Sequence, residues 1–210
     1  MTHDELIRFV RQLADDLVED YQASDDDIIS YIAEAEKEAA ERALFFRTDS
    51  TYDISISASQ ASYDLDDLII FLDRVKISGE SKPLTKTTRR ELDFEIDAWE
   101  TATGTPQWYF QEGRTITLYP IPDAAGTLLV DASRYPERAM ETPTERHEDL
   151  AYWTLYRIYS QRDADINAPQ LAELNRQRFI EAFGHKRAYQ HDTNIRNLSG
   201  HSSMYKHPFQ

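Results

Sequence analysis

The sequence predicts a mixed α+β protein: a mainly helical core of about four helices, an inserted antiparallel β-lobe and an extended C-terminal arm. Three observations lead there. Residues 1–47 and about 145–190 place apolar side chains at helical spacing. Residues 48–140 between them alternate apolar with polar and are punctuated by Pro and Gly. Residues 191–210 have no core-forming pattern. The expected organisation is a discontinuous helical core (1–47 with 145–190), a β-lobe over 48–140 and an arm over 191–210.

Thr2-x-x-Glu5 is a capping box, in which hydroxyl and carboxylate satisfy orphan amides at a helix start. Leu6, Val10, Leu13 and Leu17 then form one apolar stripe. Ser24, followed by Asp25, Asp26 and Asp27, opens a second helix with carboxylates against the positive end of its dipole. Ile28, Ile32, Ala35, Ala39 and Phe46 are its expected buried face, the alanines allowing close helix approach.

Ile54 and Ile56 alternate with serines as a half-buried strand. Leu68–Leu72 with Val75 and Ile77 reads as a core strand ended by Gly79. Residues 80–98 are irregular or briefly helical around Arg89–Phe94. Gly104-Thr105-Pro106 turns into Trp108-Tyr109-Phe110, and Glu112-Gly113 makes a tight hairpin into Thr115–Tyr119. Pro120 and Pro122 stop that ladder, because proline has no amide to donate. A last strand runs from Thr127 to Ser133. Thr142-Pro143 opens the third helix, with Leu150, Trp153, Tyr156 and Ile158 on its apolar face. Asn167 with Pro169 caps the fourth, whose stripe includes Leu171, Leu174 and Phe183.

The 210 residues are 40% hydrophobic with a formal net charge of −15, which argues for a folded chain and against non-specific adhesion to DNA or anionic membranes. Residues 1–47 carry thirteen acidic and five basic side chains, whereas residues 176–210 carry six basic and two acidic. A negative start and a positive end can orient docking between subunits or partners; the plainer account is two solvated faces. Without cysteine there are no disulfides and no cysteine-based zinc sites. No signal peptide or membrane-length apolar run is evident, and a soluble protein is expected.

The candidate chemistry is sparse. Asp25-Asp26-Asp27 on a helix point about 100° apart and do not converge on one cation, so capping accounts for them better. His147-Glu148 face different ways, and His185 and His191 are not spaced for one helix face. No HExxH, GxSxG or phosphate-loop motif occurs. No catalytic residue, metal site or cofactor is therefore expected. Trp153 and Tyr156 belong to a core, and Trp108–Phe110 lack the basic ladder a base-stacking surface would use. By contrast, Ile195, Leu198, Met204, Tyr205 and Phe209 lie in a polar stretch that cannot bury them locally. They are the expected partner-binding residues, against the alternative of a frayed terminus.

The order of these segments resembles the head–tail adaptor (connector) proteins of tailed bacteriophages. The resemblance lies in Tyr63-Asp64-Leu65 followed by Leu68–Ile77, and in Gly104-Thr105-Pro106 followed by Trp108-Tyr109. Thr115-Ile116-Thr117-Leu118-Tyr119-Pro120-Ile121-Pro122-Asp123, then Gly126 and a strand ending near Tyr135-Pro136, extend it. It covers roughly residues 4–185; the tail beyond 190 has no counterpart. It implies a non-enzymatic virion protein at the head–tail junction, made in the bacterial host cytoplasm and forming a ring of commonly twelve copies. The ring would bind the portal protein, present a platform to a tail or nozzle protein, and let double-stranded DNA pass without specific binding. No membrane partner is implied. The five arm residues would then dock on the portal or a neighbouring subunit. An acidic DNA-mimic inhibitor of a host DNA-binding protein is the second possibility, and a hydrolase built from scattered Asp, Glu and His is a weaker third.

Overall fold

The structure, a computed structural model, describes residues 1–18, 21–161 and 168–186. The chain divides into two compact units, one made of residues 1–43 and 138–210 and the other of residues 44–137. Of the described residues 42% are helical and 23% are in strands, so the class is mixed α+β. Five α-helices are present among the described residues, where a mainly helical core of about four was expected.

The first unit contains α1 (His3–Ala14), α2 (Asp25–Ala43), α4 (His147–Tyr159) and α5 (Pro169–Phe183). The Thr2 capping box forms as expected. Leu6 and Val10 are fully buried, but the stripe stops there: Leu13 is exposed in the last turn of α1, and Leu17 is exposed beyond the left-handed Asp15 that ends the helix. Ser24 accepts the Asp27 amide at 3.1 Å and donates its hydroxyl to the Asp27 carboxylate at 2.7 Å, an N-terminal bracket for α2. Ile28, Ile32, Ala35, Ala39 and Ala40 are buried, and α2 packs on α4 through this small-residue face. Phe46 does not continue that face. It lies past the end of α2, where its carbonyl accepts from the Arg134 amide at 3.1 Å in the second unit.

A 3₁₀ turn at Thr144–Arg146 precedes α4, so Pro143 stands one turn ahead of the helix it was expected to open. In α5, Pro169 takes the first helical position and Ala168 the cap; the expected capping residue Asn167 lies outside the described residues. The buried stripe of α5 is Ala172, Asn175, Phe179 and Phe183, whereas Leu171 and Leu174 are exposed. The true face is rotated by one residue, about 100°, from the expected one. Phe179 sets it by stacking on Trp153 of α4 at 5.1 Å and on Phe183 at 4.7 Å.

The second unit holds two main sheets. One has the order β1 (Ile54–Ile56), β9 (Gly126–Arg134), β3 (Ile69–Ile77), and the other β2 (Ser62–Asp64), β7 (Thr115–Tyr119), β6 (Trp108–Glu112), β4 (Thr85–Lys86). The long ladders are antiparallel, but two short pairings are parallel: β4 with β6, and β5 (Thr103–Gly104) with β8 (Ile121–Pro122). In β3 the neighbours Phe71 and Leu72 are both buried. Register shifts on either side of them break the alternation, as a bulge does. The β6–β7 loop is Gly113-Arg114, one residue later than expected; Gly113 has φ +59°, which suits glycine at the first position of a two-residue hairpin turn. β7 ends before a cis Tyr119–Pro120 bond. Leu72, Val75, Tyr109, Ile116, Leu118, Leu128 and Val130 form the principal core of this unit.

The same unit contains the expected brief helix, α3 (Arg89–Glu95), opened by a second capping box at Thr88 and Glu91. A separate core of Leu92, Trp99, Phe110 and Tyr119 holds α3 to the strands.

One pH effect arises here. Burial, and then the hydrogen bond to Glu137 at 2.8 Å, push the Tyr52 hydroxyl up to about 12. Below pH 10 the group is protonated in folded and unfolded chains alike. Between pH 10 and about 12 only the unfolded chain releases the proton, so stability falls over that window. Unfolding midpoints measured across it for the native chain and Tyr52→Phe should converge as pH rises; parallel curves would contradict this.

Candidate assembly surfaces

The segment that returns the chain to the helical unit is fastened by one buried carboxylate. Glu36, only 1% exposed on α2, accepts from the Met140 amide at 2.9 Å, the Thr142 amide at 3.0 Å and the Thr142 hydroxyl at 2.8 Å. The Thr142 carbonyl meets His147 Nε2 at 2.6 Å, and His147 Nδ1 lies 3.1 Å from both the carbonyl oxygen and the terminal nitrogen of Met1. His147 is thus buried, its ring held between the Thr142 carbonyl and Met1. Glu36 was legible as an anomaly, a charge on the apolar stripe between Ile32 and Ala40, yet nothing local says what it holds.

A second fastening lies where α5 ends. Arg42 donates to the Gly184 carbonyl at 3.1 Å and to Glu38 at 3.3 Å, with its guanidinium 5.7 Å from the Phe179 ring centre. Lys186 bridges Glu38 and Glu41, both at 2.7 Å. Burial works against its ammonium, but the two carboxylates outweigh it and raise its pKa. The last described residue is therefore tied to the C-terminal turns of α2. Ile195, Leu198, Met204, Tyr205 and Phe209, the expected partner-binding residues, lie outside the described residues, as does His191; His185 is exposed.

The opposite end of α2 has a different character. Arg11, buried, pairs with Asp16 at 3.0 Å and Asp25 at 2.5 Å, donates to the Ala23 carbonyl at 3.0 Å, and lies 3.7 Å from the Tyr21 ring centre. This closes the connection between α1 and α2. It also gives the acidic triplet its work: Asp25 meets Arg11, Asp27 brackets Ser24, and Asp26 is exposed. No group of three potential metal ligands occurs among the described residues. Around this connection Leu13, Leu17, Val18 and Tyr21 are exposed, Val18 at 78%.

On the second unit the outstanding surface residue is Phe94 of α3, 91% exposed above an open depression lined by Thr88, Arg90, Glu91, Asp93 and Glu95. The rest of α3 is braced. Trp99 Nε1 donates to Asp93 at 2.7 Å, and Arg89 grips Glu112 through two 3.0 Å bonds. Sequence periodicity gave no sign of Phe94, since a seven-residue helix is too short to define a face.

Each of the two compact units presents large apolar side chains to solvent, Leu17 and Val18 on the first and Phe94 on the second. The family model for the SU10 adaptor protein matches residues 1–200, and the chain belongs to that family. Its role is that of a phage adaptor, in agreement with the resemblance to head–tail adaptors. No curated protein matches the chain. No helix among the described residues is long and apolar enough to cross a membrane.

Proposed function

We propose that this chain is a non-enzymatic ring subunit at the head–tail junction of the virion, commonly in twelve copies. It binds the portal protein on one side, offers an attachment platform to the tail or nozzle protein on the other, and lets double-stranded DNA pass through the ring. The observation that carries this is membership of an adaptor family along residues 1–200, in a chain whose helical unit is split around a strand-rich unit. In this arrangement the helices form the core, the strand-rich unit is the lobe that meets the tail component, and residues 191–210 reach the portal or a neighbouring subunit. The net charge of −15 suits a channel that must not retain DNA, since carboxylate and phosphate repel. A closed ring needs two different faces on each subunit, which the acidic start and basic end of the chain can supply.

Native mass measurement and negative-stain imaging, with the protein alone and mixed with cognate portal rings, test this directly. A ring, or a stoichiometric layer added to the portal, is expected. A persistent monomer that ignores the portal overturns the proposal and turns attention to a basic host DNA-binding protein as the partner of a DNA mimic. Removal of residues 191–210 should leave the thermal unfolding of the remainder unchanged and weaken assembly; unaltered assembly would remove the arm from the account. Phe94→Asp changes only an exposed side chain, so stability should shift by no more than about 0.5 kcal/mol. Attachment of the tail component to the assembled ring should weaken at least about tenfold, as for an apolar anchor at an interface. Undiminished attachment would exclude α3 from the platform.

A further inference from the structure

Five of the eight large exposed apolar side chains among the described residues fall between positions 13 and 29: Leu13, Leu17, Val18, Tyr21 and Ile29. Leu17 and Val18 are 64% and 78% exposed in a connection whose backbone is held by the buried Arg11. Apolar side chains so placed on a braced turn mark a contact surface. Between residues 12 and 33 the sequence has seven acidic side chains and no Lys or Arg, and only two of the seven, Asp16 and Asp25, pair with Arg11. An occupant of this surface must therefore be apolar and basic together.

Residues 187–210 of the same sequence fit that description. They carry Arg187, Arg196 and Lys206 against the single Asp192, together with Ile195, Leu198, Met204, Tyr205 and Phe209. Where they start is equally informative. Lys186 is tied to Glu38 and Glu41 at the C-terminal end of α2, while the apolar connection sits at its N-terminal end. The 19 residues of α2 put about 28 Å between the two. A basic tail leaving one end and an acidic apolar socket at the other give a head-to-tail contact, the kind that repeats from copy to copy.

We propose that residues 187–210 of one copy dock on the α1–α2 connection of the next copy, with apolar side chains on Leu17, Val18 and Tyr21 and cations against the surrounding carboxylates. This rests on the ring proposed above and names the socket for its arm. Twenty-four residues extend to roughly 80 Å, so reach does not prevent the contact.

Because the chain lacks cysteine, thiol cross-linking is free of background. Full-length Val18→Cys and Tyr205→Cys copies, one isotopically labelled, are mixed, assembled alone or on portal rings, and treated with a short bismaleimide. A cross-link between Val18→Cys of one copy and Tyr205→Cys of another is expected. In parallel, Leu17→Ser/Val18→Ser alters only exposed side chains and should keep its unfolding midpoint while self-association weakens at least tenfold. Three results overturn the proposal: rings that assemble without the cross-link, a cross-link confined within single copies of a Val18→Cys/Tyr205→Cys double variant, or Val18→Cys joined to the portal instead. The first and third leave the ring itself standing. A chain that associates with neither itself nor the portal removes both.

Discussion

Glu36→Ala is expected to destabilise the helical unit by about 3–5 kcal/mol, which is a large part of the stability of an ordinary domain. The Glu36 carboxylate accepts three hydrogen bonds, two from backbone amides and one from the Thr142 hydroxyl, in a site that solvent barely reaches. Alanine leaves all three donors without their acceptor, and each unsatisfied buried group costs about 1–3 kcal/mol before the structure relaxes. The loss spreads, because the Thr142 carbonyl also holds His147 at the start of α4. Glu36→Gln keeps the shape and one accepting oxygen, so its cost should be smaller. Denaturant unfolding of the two variants measures the difference. Equal, near-zero effects would show that the segment through Met140 and Thr142 is held by something else.

Phe110→Ala is expected to cost about 3–5 kcal/mol in the strand-rich unit, the usual penalty for emptying a buried phenylalanine site. Phe110 is among the largest fully buried side chains and meets Trp99 edge-on at 5.8 Å. With Leu92 and Tyr119 these rings make the separate core beneath α3, and the Arg89 guanidinium lies 5.4 Å from the Phe110 ring centre. Removing the ring should therefore loosen α3 and with it the setting of Phe94. Hydrogen exchange at the Leu92 and Ile96 amides, which close α3 onto Thr88 and Leu92, should speed up more than exchange in β9. Exchange rising equally in both would mean that the small core is not separate from the principal one. Phe110→Leu fills most of the volume and should cost less than about 1.5 kcal/mol.

These two sites differ in how far the sequence announces them. The capping boxes at Thr2 and Thr88, the Ser24 bracket, the Ile54/Ile56 alternation and the Gly113 hairpin depend on residues two to four apart. Interactions of that range are written in the local pattern, and so the starts of α1 and α2 and the longer strands could be read directly. The family was legible for the same reason, as an order of local signals along the chain.

Facing is another matter. A stripe at 3.6-residue spacing defines an apolar side only to within about one residue of rotation, and α5 uses Ala172, Asn175 and Phe179 where Leu171 and Leu174 look stronger. There the ring of Phe179 against Trp153 decides, a contact between residues 26 apart. Glu36 meets Thr142 across 106 positions, and β1 finds β9 across about 70. No local pattern encodes such separations. The chain by itself determined its elements, their order and its family. Tertiary packing decided which leucines reach solvent and which carboxylate becomes a fastening.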